Sequence, residues 1–207
     1  MAQYFVVHPE NPQPRLLQQA AAILRDGGVV AIPTDCCYAL ACHTGDKNAM
    51  EKLREIRGVD DRHHFTLMCG DLAAIGQFAR VDNAVYRLLR SALPGAYTVI
   101  LEGTKDLPRR LLHPKRKTIG VRIPDHVISR ALIDAVGEPL LTTTLILPGE
   151  DDPLTEGWEI RERLEHDLDL VLDGGSCGGL PTTIVDMTGG APELIRAGRG
   201  DAAAFGL

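Results

Sequence analysis

The chain has 207 residues, 44% of them hydrophobic and 24% charged, with a formal net charge of −6. A chain of this length can bury roughly 70% of its unfolded surface in one core without staples, and an acidic balance does not advertise a nucleic-acid binder. No apolar run approaches the ~20 residues that span a bilayer, and the opening MAQYFVVHPENPQPR lacks the basic-then-apolar pattern of a signal peptide.

In chain order, Leu16, Leu17, Ala20, Ile23 and Leu24 recur at helical spacing, and Gly27-Gly28 ends that helix. Val29–Ile32 reads as a buried strand. Asp46 is placed to cap a second helix carrying Ala49, Met50, Leu53 and Ile56 on one face. A strand is predicted over 65–69, helices over 71–79 and 82–92, and strands over 97–102 and 118–123. Asp125 is expected to cap a helix running to Val136. PLLTTTLILPG reads as a strand stopped by Pro148-Gly149, and an acidic loop over 150–157 leads to a helix over 158–167. Strands near 168–172, 182–187 and 193–196 follow. The stretches 103–117 and 173–181 read as loops. Strands and helices intermix throughout, which predicts one domain over 1–207: a mixed α/β (α+β), three-layer fold with a twisted mixed β-sheet and helices on both faces.

The five cysteines, at 36, 37, 42, 69 and 177, form no CxxC pair. An odd count without that spacing argues against a disulfide framework and for a reducing, cytoplasmic setting. Cys36 and Cys37 are adjacent, so on a strand they would face opposite ways. They are expected to be inert, half-buried thiols. His63-His64 is likewise adjacent and lacks spaced partners, so no metal site is expected. No GxGxxG or GxxxxGK[ST] occurs. Hydroxyl residues instead gather at strand ends beside Pro or Arg: Thr34, Thr118 with Arg122, Thr142 to Thr144, Thr182-Thr183, and Arg196 nearby. Strand ends are where open sheets bind ligands. Hydroxyls with Arg suit a small anion. The segment 105–117, KDLPRRLLHPKRK, holds six of the 22 Lys and Arg residues; it fits a solvated loop or a contact for a phosphate-rich partner.

Taken together, PTDCCYAL, Pro94-Gly95 with Thr98, Thr118–Pro124 followed by His126, TTTLI, Thr182–Asp186 and Ile195–Gly198 resemble, in order, the motifs of the YrdC/YciO family of threonylcarbamoyl-adenylate synthases. The likeness runs from about residue 13 to 199. NPQPRLL, DKNAM, FTLMC, DLPRRLL and KRKTIGVRIP are similar to the YciO branch. The resemblance implies a YrdC-like fold with a concave positive cavity. It implies ATP, L-threonine and bicarbonate as reactants, Mg2+ accompanying ATP, and threonylcarbamoyl-AMP as a product used to modify adenosine 37 of tRNA. Double-stranded RNA or tRNA is an implied partner.

By position, the resemblance places threonine against Cys36, Tyr38, Arg122, Thr142 and Thr182, and the nucleotide against Thr34, Arg57, Thr118, Thr144 and Arg196. The catalytic residues stay unassigned. The family's K-x-R-P motif falls on Arg57 and Val59, the Asn of its S-T-S-A-N on Ile146, and a further threonine-site contact on Met68. Three functions are open: the first is a weak synthase, the second a non-catalytic RNA-binding or ligand-binding paralogue. A related hydrolase or carbamoyl transfer on another adenylate is a third.

Overall fold

In a computed structural model that describes residues 1–207, aspartates start three of the helices, of which the sequence reading named Asp46. Asp46 accepts from Ala49 N–H at 2.9 Å and begins α2, Lys47–Arg57, and Asp71 accepts from Ala74 N–H at 2.7 Å and begins α3, Leu72–Phe78. Asp82 accepts from Ala84 and Val85 N–H, both at 2.8 Å, ahead of α4, Asn83–Ala92. These bonds satisfy amide groups that a helix start otherwise leaves bare. The first helix, α1, Pro14–Arg25, ends before Gly27, whose φ of +85° is a turn only glycine takes without strain. The remaining helices are α5, Val127–Val136, and α6, Gly157–Leu164.

Ten strands form one sheet: β1 Gln3–Val6, β2 Val30–Ile32, β3 Ala39–His43, β4 Thr66–Met68, β5 Tyr97–Glu102, β6 Thr118–Arg122, β7 Leu140–Thr144, β8 Leu170–Asp173, β9 Thr183–Asp186 and β10 Glu193–Arg196. Their order is β1-β8-β2-β3-β7-β4-β6-β5-β9-β10. The pairs β1/β8, β2/β8, β4/β6 and β5/β9 are parallel and the rest antiparallel, so the sheet is mixed as expected.

Alternation along the strands sorts side chains onto two faces. One face sends Ala31, Leu40, Leu67, Val99, Ile119, Val121 and Val185 into a core with α2, α3, α4 and α6. The other sends Val30, Ile32, Ala41, Met68, Leu140 and Leu170 against Leu17, Ala20 and Leu24 of α1 and Ile128, Leu132 and Val136 of α5. Those two helices cover only the half of that face built by β8, β2, β3 and the near ends of β7 and β4. Over β6, β5 and β9 the same face carries Gly120, Arg122, Thr98, Ile100 and Ile184 and is left open as a groove.

Several sequence expectations are corrected. Strands β1 and β3 were not anticipated. Cys36 and Cys37 lie in the turn before β3, not on a strand. Asp125 does not cap α5: the cap position is His126, without a side-chain cap bond, and Asp125 N–H points to Asp35 Oδ2 at 3.3 Å. The predicted helix over 158–167 stops at Leu164, and the TTT strand stops at Thr144. A 3-10 turn, Arg109–Leu111, interrupts the basic loop.

Candidate active site

The groove floor follows from strand register. Across the sheet, Ala41 pairs with Thr142, Thr142 with Thr66, Thr66 with Gly120, and Gly120 with Ile100. This row, small or hydroxyl residues up to Gly120 and then Ile100, lies on one face. A Cβ on Gly120 would stand 3.1 Å from Thr98 Cγ2 and 3.2 Å from Thr66 Oγ1, so a larger residue there would crowd the floor.

The open groove has a volume of about 180 Å3. Arg57, His63 and His64 stand on one side and Arg196, Ile184 and Ile195 on the other. A smaller inner chamber of about 20 Å3 continues beneath it, lined by Thr34, Cys37, Arg122, Thr142 and Thr182. That is room for about one water. A larger depression of about 770 Å3 lies elsewhere, near α2 and α6, open and bordered by Glu51, Lys52, Arg163 and Asp167. It has none of the convergent buried hydroxyls and guanidinium of the groove, and the groove is the candidate site.

The cations around the groove are only partly satisfied. Arg57 donates one N–H to the Ile146 carbonyl, and its buried Nε has no partner. Arg196 donates from Nη2 and Nε to the Thr182 carbonyl at 3.0 and 3.3 Å. Burial lowers the pKa of both arginines, and an Arg so shifted still carries its charge at neutral pH. Arg122 is 6% exposed. It forms an ion pair with Asp35, lies 4.0 Å from Cys36 Sγ, and keeps a buried Nε without a partner. A buried guanidinium with a free donor is costly unless something accepts from it.

The hydroxyls divide by what they already bind. Thr34 accepts from Cys36 and Cys37 N–H at 3.2 and 3.4 Å and donates to Cys37 O at 2.7 Å, which fixes the turn. Thr142 donates to Thr66 O at 3.0 Å, and Thr182 shares a 2.9 Å bond with Thr98. Thr66 and Thr144 have no side-chain partner in the protein and remain available at the groove.

Seven of the ten residues expected at the site line the groove or the inner chamber: Thr34, Arg57, Arg122, Thr142, Thr144, Thr182 and Arg196. Three do not. Tyr38 is fully buried in the opposite core, where its hydroxyl donates to Gly175 O at 2.8 Å. Cys36 packs behind the Arg122–Asp35 pair. Thr118 is 3.2 Å from His64 Nε2 and meets the groove through that ring. Of the positions noted for departing from the family pattern, Ile146 is on the groove wall, Met68 is buried under α1 and α5, and Val59 is outside the lining.

Sequence reasoning weighed His63 and His64 only as a metal pair and did not place them at the groove. Burial lowers the His63 pKa from 6.5 to about 4, with the Arg57 charge adding to the effect. His63 Nε2 is 3.0 Å from Thr143 Oγ1. His64 stacks on His113 of the basic loop, with ring centroids 4.4 Å apart, and burial lowers its pKa too. Nothing in the sequence places these side chains, because they leave a turn after α2. Gly120, Thr66 and Thr98 were findable, by carrying the alternation of TIGVR onto its neighbouring strands.

The thiols are unreactive by environment. Burial raises the Cys36 pKa against the opposing pull of Arg122, and pushes Cys37 up to about 12 and Cys177 to about 11. A nucleophilic thiol needs the reverse.

A family model described as "Telomere recombination", covering Sua5, YciO and YrdC proteins, matches residues 22–198. The chain is 50% identical over 205 residues to the uncharacterized protein YciO of Escherichia coli strain K12, covering 99% of this chain and 100% of that one. The crystal structure of E. coli YciO superposes with a TM-score of 0.96, over the same shares of the two chains. Threonylcarbamoyl-AMP synthase of Bos taurus is 32% identical over 190 residues, 88% of this chain and 67% of the synthase. The crystal structure of P. abyssi Sua5 complexed with L-threonine shares the fold at a TM-score of 0.87 and 24% identity, over 94% of this chain and 57% of that one. No helix is long and apolar enough to cross a membrane.

Proposed function

Because the chain belongs to the Sua5/YciO/YrdC family, we propose that its groove binds an adenine nucleotide and that the protein makes threonylcarbamoyl-AMP slowly, from ATP, L-threonine and bicarbonate. The observation that carries this reading is the pairing of free hydroxyls, Thr66 and Thr144, with arginines whose Nε atoms lack partners, Arg57 at the groove and Arg122 beneath it. Guanidinium forks match phosphate and carboxylate oxygens. Ile184, Ile195 and Ile100 offer the apolar surface a base needs.

In the reaction proposed, an oxygen of the carbamate formed from threonine and bicarbonate bonds to the α-phosphorus, and the bond to the departing pyrophosphate breaks. Transfers at phosphorus draw on positioning and charge neutralisation more than on covalent help from the protein. Arg57 and Arg196, facing each other across the groove, are the residues offered for that task. Magnesium would supply further charge screening. No group of three or more His, Cys, Asp or Glu side chains gathers to hold a metal ion, so its oxygens would come from the polyphosphate and water. The threonylcarbamoyl-AMP synthase relative and the threonine-bound fold neighbour support the substrate class. The isoleucine at 146, on the groove wall, supports a low rate.

One observation favours a second reading, RNA binding. Lys105, Arg109, Arg110, Lys115, Arg116 and Lys117 are all exposed, on the loop whose His113 stacks against the groove residue His64. A run of exposed cations beside the groove fits a phosphate backbone. Such binding would link the adenylate to tRNA threonylcarbamoylation, or stand alone in a non-catalytic paralogue.

Calorimetry with ATP and AMP tests the nucleotide site. Both should bind, and Arg196→Ala should weaken ATP roughly 10-fold or more. Absence of heat with either nucleotide, alongside salt-sensitive RNA binding, would support the non-catalytic paralogue instead.

A further inference from the structure

The groove floor does not end at Gly120. Thr118, two residues earlier on β6 and about 7 Å away, lies on the same face, and so does Asp186, two residues beyond the groove residue Ile184 on β9. His64 lines the groove and stands over Thr118, with Nε2 3.2 Å from Thr118 Oγ1. His113 of the basic loop stacks on His64, with ring centroids 4.4 Å apart, and Arg116 of the same loop reaches Asp186 Oδ2 at 3.7 Å.

His113 Nδ1 accepts from the Arg116 and Lys115 N–H groups at 3.1 and 3.3 Å. The proton of the neutral ring is therefore on Nε2, which has no partner in the protein. His64 Nδ1 has no partner in the protein either. Charged, His64 would keep its bond to Thr118 through Nε2–H and present Nδ1–H as a second donor. The groups that bear on it are His63 beside it in the chain, His113 and Arg116 from the loop, and Asp186 from β9. Burial lowers the His64 pKa, His113 and Arg116 add to the effect and Asp186 opposes it, so the ring is neutral near pH 7 in the free protein. The carboxylates at this end are already occupied. Asp186 Oδ1 accepts from the Thr188 N–H and hydroxyl at 2.8 and 2.6 Å, and Oδ2 faces Arg116. Glu102, opposite Thr118 in register, pairs with Arg80 at 3.2 Å. An anion arriving here meets one free N–H, one ring that a proton would charge, and no unpaired carboxylate.

We infer that this end of the groove binds the phosphate chain of a nucleoside polyphosphate, with His113 Nε2–H and a protonated His64 donating to its oxygens. The proton comes from solvent, adds to the bare ring nitrogen of His64 as the anion binds, and returns to solvent on release; no bond to phosphorus changes. Arg57 and Arg196 already spend donors on the Ile146 and Thr182 carbonyls, and Val59 is outside the lining, so the histidines supply charge that the groove walls do not. Because that charge appears only with the anion, the empty groove is spared the cost of a further half-buried cation. That the phosphate chain belongs to ATP rests on the synthase reading above; phosphate binding at the stack does not.

Imidazole 15N–1H correlation spectra of the full chain at pH 6.5 test this, with His63→Gln, His64→Gln and His113→Gln assigning the signals. Separate samples are titrated with inorganic tripolyphosphate, AMP and a short RNA duplex. The expected result is an Nε2–H tautomer at His113 and a neutral His64 that becomes imidazolium with tripolyphosphate and stays neutral with AMP at the same concentration. In calorimetry, moving from pH 8 to pH 6 should favour tripolyphosphate binding by the wild type over the His64→Gln variant by about 10-fold, the change that one unit of pKa brings. Tripolyphosphate itself gains protons over that range in both proteins, so the difference between them is the readout. His64→Lys should keep the pH 6 affinity and lose the extra pH dependence. A His64 that stays neutral with tripolyphosphate bound, an equal response to AMP, the same pH dependence in His64→Gln, or shifts produced by the RNA duplex alone each overturn the inference. Absence of tripolyphosphate binding overturns it as well, whereas threonine-dependent pyrophosphate release from ATP decides the synthase reading separately. If His64→Gln fails to fold, the wild-type titration still decides, with the other two variants assigning the signals.

Discussion

Arg122 and Asp35 form an ion pair with side chains only 8% and 10% exposed, and Arg122 lines the inner chamber beneath the groove. Arg122 reaches the pair from the last residue of β6, and Asp35 from the turn fixed by the Thr34 hydroxyl. The site therefore depends on a turn and a strand end held by one buried contact.

Removing one member of a buried pair leaves the other charge stranded, at a cost of about 3–5 kcal/mol. Arg122→Met should lose stability of that order in urea unfolding. Arg122→Met with Asp35→Leu should recover much of the loss, because no charge is left unpaired. Equal or additive losses in the single and double variants would show that the pair is not coupled.

Cys36→Ser should leave the melting temperature unchanged and ligand affinities within about 2-fold, since Cys36 stands behind the ion pair rather than at a chamber wall. The wild-type thiol should resist iodoacetamide at pH 7.5, because burial disfavours its thiolate. Rapid alkylation of Cys36 in the folded protein, followed by peptide mass, would contradict the inert assignment.

The half-buried histidines should make the fold acid-sensitive. The folded pKa of His63 lies near 4, below its ordinary 6.5, and those of His64 and His126 are lowered too. The unfolded chain then binds more protons between pH 6.5 and 4, so stability rises with pH across that window and is lost as pH falls through it. For His63 alone the change is up to about 3 kcal/mol. Thermal unfolding at pH 7, 6, 5 and 4 should show the decline, and His63→Gln should flatten it. A variant with the wild-type slope would exclude His63 as a source.

Ile146 is on the groove wall and Val59 is not. Ile146→Asn should therefore strengthen ATP binding in calorimetry by about 3- to 10-fold, by adding one hydrogen bond. Val59→Arg should change it less than 2-fold. Equal gains from the two substitutions would mean that the 58–62 segment closes over the bound nucleotide.

Much of this could be read from the chain and some could not. Asp46 announced its helix because capping is local chemistry, and Asp71 and Asp82 cap theirs in the same way. Asp125 misled for the opposite reason: its amide is drawn away by Asp35, ninety positions earlier in the chain. Strand β3 was hidden because Ala39–His43 is short and rich in small residues and lies buried between β2 and β7. The groove floor was partly legible, since TIGVR places Gly120 and Arg122 on one face once β6 is recognised. Tyr38 was misplaced because sequence adjacency to Cys36 and Cys37 says nothing about face, and its hydroxyl is used to hold the 173–175 loop. His63 and His64 reach the groove, and Asp35 meets Arg122, only through long-range pairing.

Pyrophosphate release is the most direct measure of the proposed chemistry. The folded wild-type protein, given ATP, magnesium, L-threonine and bicarbonate, should release pyrophosphate slowly. That release should stop when either threonine or bicarbonate is omitted, and it should fall at least 10-fold in an Arg196→Ala variant of unchanged melting temperature. Release that ignores threonine, or none at all from protein that binds ATP, would contradict the synthase reading and leave a binding protein in its place.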